Sequence, residues 1–435
     1  MKIDEESIAK QWQSTMKSGT VENRIIEGIY ALEKRGYDVS QAKKLIKPGT
    51  EAYQQAQWWE LQKIISMIHE ELRGAPKLAF DTHKPGTWEE LKESWNSLRN
   101  LAPFRAHETN EDYYDKTFGG WYGKCIGVAL GDPMAGWPSA KVREVHGKIT
   151  NYVKQPETKN DDINYQLVVL HCIDTYGVDF SSRDLGYEWI EHLPLGATYT
   201  AEERAMENLL RGITPPYSAR DNNPFVDWIG AQMRGEVHGF IAPVRPDLAA
   251  EFAYKDAVIS HEKEGVYGEV FNAVMVSLAF IVKDVEQLID SALGYVPRNS
   301  EFHSVVSLAL KECKKAGDWE RVLDWINREF GDLHWIHTFP NIAIVVMSLV
   351  FGKGDFGESI RISASCGWDC DCSTGQVGAT VGTLLGANGI SLQWKDPIAD
   401  RLETDVRGFE SIKISELAKW TCRVGEKVFN HRRKA

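Results

Sequence analysis

Glycine recurs at every fourth position of the segment GGWYGKCIGVALGD, as Gly119, Gly123, Gly127 and Gly131. Residues four apart stack on one side of a helix, so the spacing predicts a helix with a bare stripe along one face. A glycine inside a helix costs about 1 kcal/mol against alanine, and four of them need a compensating gain. Close approach of a second backbone supplies one. The segment TGQVGATVGTLLGA repeats the device with Gly378, Gly382 and Gly386. Two buried, tightly packed helices are therefore expected, with each other as candidate partners. Such small-residue faces are familiar in membranes, but neither segment is long and apolar enough to span one.

Elsewhere apolar residues recur mostly at helical spacing and rarely alternate, which predicts an all-α chain with a single catalytic core. Helical patterns before residue 75 break near Lys47-Pro48-Gly49. A Pro/Gly-containing stretch, 76–86, then leads to a short helix in TWEELKESWNSLRN, where Thr87 and Glu90 match a capping box. A loop from Ala102 to Asn110 suggests a boundary near residue 110, with a helical extension over 1–110 and the main body over 111–435. Loops are expected at 211–224 and 241–247, and the apolar run Ile342 to Phe351 reads as a buried helix. The extension is rich in tryptophan (Trp58, Trp59, Trp88, Trp95), placed to wall a pocket, contact a subunit or simply pack on the core.

The formal charge of −12, with no clustered Lys or Arg, excludes nucleic acid as the expected partner. Seven scattered cysteines and a charged start, MKIDEESIAKQWQ, lead us to expect reduced thiols in a soluble, cytoplasmic protein without membrane association.

Both ridges carry aspartate at one end. Asp132 follows the first directly, Asp369 and Asp371 precede the second, and Asn160-Asp161-Asp162 opens the helical segment DINYQLVVLHCIDTY. Taken singly, acidic residues at a helix start cap it and complement its dipole. Taken together, they supply the several oxygen ligands from separate segments that hard divalent cations require. Cys366, Cys370 and Cys372 offer a competing, softer site. It lacks the further Cys or His pair that a four-ligand zinc site needs, and buried unligated thiols are the expected outcome.

In order along the chain, GKCIGVALGD, NDDINYQL, RGEVHGFIAPVRPDLAAEFAYKDAVISHEKEGVYGEVF and GWDCDCSTGQVGATVGTLLGA resemble the motifs of the ADP-ribosylglycohydrolase family, whose members include the dinitrogenase-reductase-activating glycohydrolases. The resemblance spans roughly 115–390. It implies an orthogonal all-α bundle holding two Mg2+ ions (Mn2+ being the alternative), with Asn160, Asp161, Asp162, Asp369, Asp371 and Ser373 as ligands. The implied activity is hydrolysis of a glycosidic bond to ribose or an ADP-ribose-like sugar. Asp132, Asp161 and Asp369 are the candidate proton acceptors. Trp368, His238, His261, Glu262 and Tyr267 are the candidate contacts to a small-molecule or ADP-ribosylated substrate, and His334 and His337 are expected to pack.

The chain departs from the family pattern at three places. Asn160 replaces threonine, and Cys372 replaces a hydroxyl residue. The glutamate often found shortly after Gly-Asp is absent, its place falling among Ala135, Trp137 and Pro138. These departures support two alternatives: a catalytically silent protein that binds ADP-ribose or a nucleoside, and a hydrolase of small N- or O-glycosides.

Overall fold

The computed structural model describes residues 4–78, 84–95 and 110–432. The two glycine segments lie in helices Asn110–Gly131 and Cys370–Leu385, except that Gly386 caps the second helix at φ +72° instead of continuing its stripe. Their bare stripes meet in antiparallel register. A methyl group placed on Gly119 would fall 2.3 Å from the Gly382 carbonyl oxygen, and on Gly123 2.0 Å from that of Gly378. On Gly127 it would fall 2.2 Å from the Thr374 oxygen, and on Gly131 2.3 Å from that of Cys370. Carbon atoms essentially never approach oxygen that closely, so only glycine fits this seam.

Further helices bury the pair. Glu264–Ala279 is buried along its whole length, and Thr338–Gly352, which contains the apolar run noted above, is nearly so. Asp161–Tyr176 is another. Its first turn is held by Asn160, whose side-chain oxygen accepts from the Asp162 amide at 2.9 Å. No helix among the described residues is long and apolar enough to cross a membrane. All seven cysteines are free, six of them buried.

Some expected loops are shorter than their Pro and Gly content suggests. Tyr217–Arg220 is helical, and Pro246 opens the helix Pro246–Ala257 at its first position, where its missing N–H is no loss. Among the described residues two small antiparallel pairs interrupt the helical pattern, Ser14–Thr15 with Val21–Glu22 and Arg401–Glu403 with Ser411–Lys413.

The residues before 78 enclose an apolar cluster of their own, around Trp12, Ile29, Leu61, Ile65 and Ile68. Leu91 instead joins the main core. It lies in Trp88–Ser94, where the Thr87–Glu90 capping box is formed in both directions. The expected loop over 102–109, part of the 76–86 stretch (79–83) and the end of the capped segment (96–100) lie outside the described residues. The extension docks on the body through Arg24 to Glu203 at 3.0 Å, Arg35 to Asp227 at 3.3 Å and Thr20 to the Ala135 carbonyl at 2.9 Å.

Candidate metal centre and its cavity

Because the ridges run antiparallel, the C-terminal end of the first lies beside the N-terminal end of the second. Asp132, one residue past the first ridge, is thereby brought to Asp369 and Asp371. The connection is zipped by backbone bonds, from the Gly136 amide to the Trp368 carbonyl at 2.8 Å and from the Trp368 amide to the Trp137 carbonyl at 3.1 Å. Trp368 takes a left-handed backbone conformation, φ +59°, to turn Asp369 into the site. The Asp161–Tyr176 helix delivers the third segment: Asn160 Nδ2 donates to Asp371 Oδ2 at 2.9 Å.

The arrangement gathers negative charge in a buried place. Burial raises the Asp369 and Asp161 carboxyls well above their ordinary range, and neighbouring carboxylates push the same way, Asp371 on Asp369 and Asp162 on Asp161. Asp371 and Asp132 are raised too, by burial and then by Asp162 and by Asp371 respectively. Asp371 Oδ1 is buried with no hydrogen-bond partner. A buried acceptor left bare among like charges is what a cation would satisfy.

Asp162 stands differently. Its Oδ2 receives Lys124 Nζ at 2.8 Å, and its Oδ1 receives Cys372 Sγ at 3.1 Å. Lys124 projects from the first ridge helix, is fully buried, and also reaches Glu236 Oε1 at 3.0 Å and the Met233 carbonyl at 2.6 Å. Burial works against its charge, but Asp162 and Glu236 outweigh that and raise its pKa. Asp161, Asp369 and Asp371 thus offer carboxylate oxygens of the kind a hard divalent ion takes. On the other side an ammonium and a thiol already engage both oxygens of Asp162, and thiol suits magnesium poorly. Asp162, Asp371 and Cys372 do bring ligand atoms within 4.8 Å of one another.

The acidic residues lie on the floor of a 620 Å³ cavity, which Asp132, Asn160, Asp161, Asp369, Asp371 and Cys372 all line. Ser373 is wholly buried and donates to Asn341 Oδ1 at 3.1 Å. None of the expected substrate contacts lines this cavity. Trp368 turns its indole N–H to Asn327 at 2.9 Å. His238 is buried behind the site between Asp256 (3.2 Å) and Glu269 (3.1 Å), which overcome burial and raise its pKa to about 9. His261 is buried against Ser260, at 2.8 Å. Tyr267 donates to the Pro85 carbonyl at 2.5 Å. Glu262 lies on a separate cavity between extension and body, held by Arg220 at 2.6 Å. His334 and His337 pack as expected, His334 stacked on Trp228 with ring centroids 4.4 Å apart.

Three carboxylates that sequence reasoning missed do line the cavity, Glu22, Glu202 and Asp405. Glu202 is buried and bonded to Arg234 at 2.8 Å, and burial lifts its pKa to about 7 despite that partner. Glu22 comes from the extension, whose residues 14–18 also wall the cavity. The wall is fixed by Trp137 Nε1 donating to the Ser18 carbonyl at 2.9 Å. Trp58, Trp59, Trp88 and Trp95 do not line the cavity: Trp59 is 59% exposed, Trp58 packs on the extension's own cluster, and Trp88 and Trp95 pack on each other and on Tyr254 and Tyr295, the packing alternative.

A pH dependence follows. Carboxyls whose pKa is higher folded than unfolded make the folded state bind more protons, so stability without a cation falls as pH rises above the ordinary carboxylate range. A cation must displace those protons. Magnesium affinity is expected to rise as pH rises above the ordinary carboxylate range, with protons released on binding. Calorimetry in two buffers of different ionisation enthalpy measures that release, and identical heats in both would refute it.

A family model described as ADP-ribosylglycohydrolase matches residues 109–428. A curated protein of Archaeoglobus fulgidus, described only as uncharacterized, is 23% identical over 291 residues, covering 64% of this chain and 90% of that protein. A solved structure described as an ADP-ribosylglycohydrolase-related protein complex is similar with a TM-score of 0.52 at 17% identity, covering 73% of this chain and 99% of its own. At that identity the likeness speaks for the fold.

Proposed function

This chain belongs to the ADP-ribosylglycohydrolase family, and on that premise we propose that it is a magnesium-dependent hydrolase of a glycosidic bond to ribose or an ADP-ribose-like sugar. The observation that carries the reading is the bare Asp371 oxygen among the raised carboxyls of Asp161 and Asp369, on the floor of an open cavity. Asp161, Asp369 and Asp371 are the ligands we assign, with Asn160 orienting Asp371. A divalent ion held there would polarise the sugar hydroxyls and acidify a water. The two-ion arrangement of the family remains the wider form of the proposal, and its second ion would compete with Lys124 for Asp162.

Hydrolysis needs a proton acceptor for the attacking water and a donor for the leaving group. Asp132, Asp161 and Asp369 face the cavity and are the acceptors we assign; a carboxylate takes the water proton as oxygen bonds to the anomeric carbon. The bond to the aglycone breaks, and the departing atom takes up a proton. Glu202, with a pKa near 7, is suited to hold that proton. Together with Glu22 it supplies carboxylate to the cavity although Ala135, Trp137 and Pro138 cannot. Positive charge at the developing oxocarbenium centre is stabilised by the same carboxylates. Residues 1–110 then serve as an extension that completes one wall of the site on the 111–435 body.

The second reading, a silent binder of ADP-ribose or a nucleoside, is favoured by one observation: Lys124 and Cys372 already engage both oxygens of Asp162. A magnesium-supplemented screen of ADP-ribosyl conjugates, nucleosides and simple glycosides, read by release of the free sugar, separates the two. Asp369→Ala is expected to lower turnover at least about a hundredfold, the low end for a lost general base, and to weaken magnesium binding. If Asp369→Ala and Asp161→Ala bound magnesium and turned over substrate like wild type, the proposal would fail.

A further inference from the structure

Far from the acidic floor, at the other end of the Asp161–Tyr176 helix, His171 faces Glu188 and His192 on the helix Ser182–His192. Glu188 and His192 are one turn apart, so both project from one face. Glu188 Oε2 lies 2.5 Å from His171 Nδ1 and 3.3 Å from His192 Nε2. The imidazole rings are 4.4 Å apart, and Phe409 packs against both. The three side chains are 31%, 6% and 14% exposed, so the cluster is reachable from solvent yet largely enclosed.

The tautomer is fixed on one side. His192 Nδ1 lies 3.0 Å from the Arg407 carbonyl oxygen, which can only accept, so Nδ1 carries a proton. In neutral imidazole that leaves Nε2 as a lone pair, and it points at a carboxylate oxygen. Two lone pairs facing each other repel. A cation between them, a proton or a metal ion, removes the repulsion, and a histidine whose other N–H is anchored on a carbonyl is the usual arrangement of a metal ligand.

We infer that His171, Glu188 and His192 form a second metal site, independent of the acidic centre, for a borderline divalent transition ion of the zinc class. Two imidazole nitrogens and a carboxylate oxygen are the donor set zinc accepts, with bonds of about 2.0–2.2 Å and a fourth position for water. Ligand atoms in a tetrahedron of that size lie about 3.3 Å apart, which the Glu188–His192 pair already meets; the His171–Glu188 pair, hydrogen-bonded at 2.5 Å, has to open to that spacing as an ion replaces the proton between them, and the three ligand atoms fall within 4.8 Å of one another. Magnesium, which prefers oxygen, is a poor occupant. The site braces two helices of the body to the segment carrying Arg407 and Phe409, and that segment also contributes Asp405 to the cavity.

The test is zinc content of the full-length protein after chelator treatment, dialysis against Zn2+ in excess Mg2+, and removal of free metal. Wild type and Asp371→Ala are expected to hold an equivalent of zinc that His192→Ala, His171→Ala and Glu188→Gln all lose. Zinc should also raise the unfolding temperature of wild type and of Asp371→Ala while leaving the other three unmoved. Glu188→Gln preserves shape and hydrogen bonding, so it decides the matter should a histidine variant not fold. Wild type without bound zinc, or Glu188→Gln with the wild-type amount, overturns the site. Neither result bears on hydrolysis, so failure here is distinct from failure of the proposed function.

Discussion

Gly123→Val is expected to yield no folded protein. The first added carbon would sit 2.0 Å from the Gly378 carbonyl oxygen and 2.5 Å from its carbon, backbone against backbone, with no flexible side chain to swing aside. Overpacking that side chains can absorb costs about 1–3 kcal/mol. Here the helices themselves must separate, and the contacts at Gly119, Gly127, Gly131 and Gly382 are lost with them. A loss beyond about 5 kcal/mol consumes most or all of a typical folding free energy of about 5–15 kcal/mol. Gly74→Ala is the control: nothing lies within 4 Å of the added methyl group and Gly74 ends the helix Trp58–Gly74, so stability should hold or rise by up to about 1 kcal/mol. Soluble yield and urea unfolding followed by helical dichroism compare them, and a Gly123→Val midpoint equal to wild type would refute the seam.

Lys124→Met is the second large effect. Methionine matches the length of the lysine stem but removes the ammonium that Asp162 and Glu236 share in a fully buried place. Removing one member of a buried ion pair costs about 3–5 kcal/mol, because the partner charge is left without compensation. Two carboxylates are stranded here, which puts the expectation at the upper end. Magnesium should recover part of the loss in the variant and less in wild type, since the oxygen vacated at Asp162 becomes open to a cation. Unfolding midpoints with and without magnesium test both statements. A variant as stable as wild type in chelator would show that Lys124 carries no such burden.

What the sequence made legible was local. The glycine stripes could be read because period and penalty both lie within one helix, and the acidic groups because they flank helix ends. The seam's register, which follows from the stripes, then explains why Asp132 meets Asp369. Lys124 was in plain view between Gly123 and Cys125; a charge on a helix whose every face is to be buried demands partners, and that signal went unused. The substrate contacts were harder. Along Glu264–Ala279 every residue is buried, so periodicity does not say which side faces a cavity, and Tyr267 points away from it. His238 sits behind Glu202 through Arg234 and then Asp256, close in character to a site residue but separated from the cavity by that chain. Glu22 arrives by docking of a distant segment, and no local pattern announces such a contact.

The glycine seam also bears on how the protein is made. Its two halves come from opposite ends of the body, so a ribosome releases the first long before the second exists. Until then the first stripe has no mate, and neither the seam nor the acidic floor can assemble. Closure of so long a loop is slow and leaves apolar surface exposed while it is awaited. The nascent chain therefore carries an unmated stripe until the Cys370–Leu385 segment emerges, the kinetic counterpart of a helix pair that tolerates no substitute for glycine.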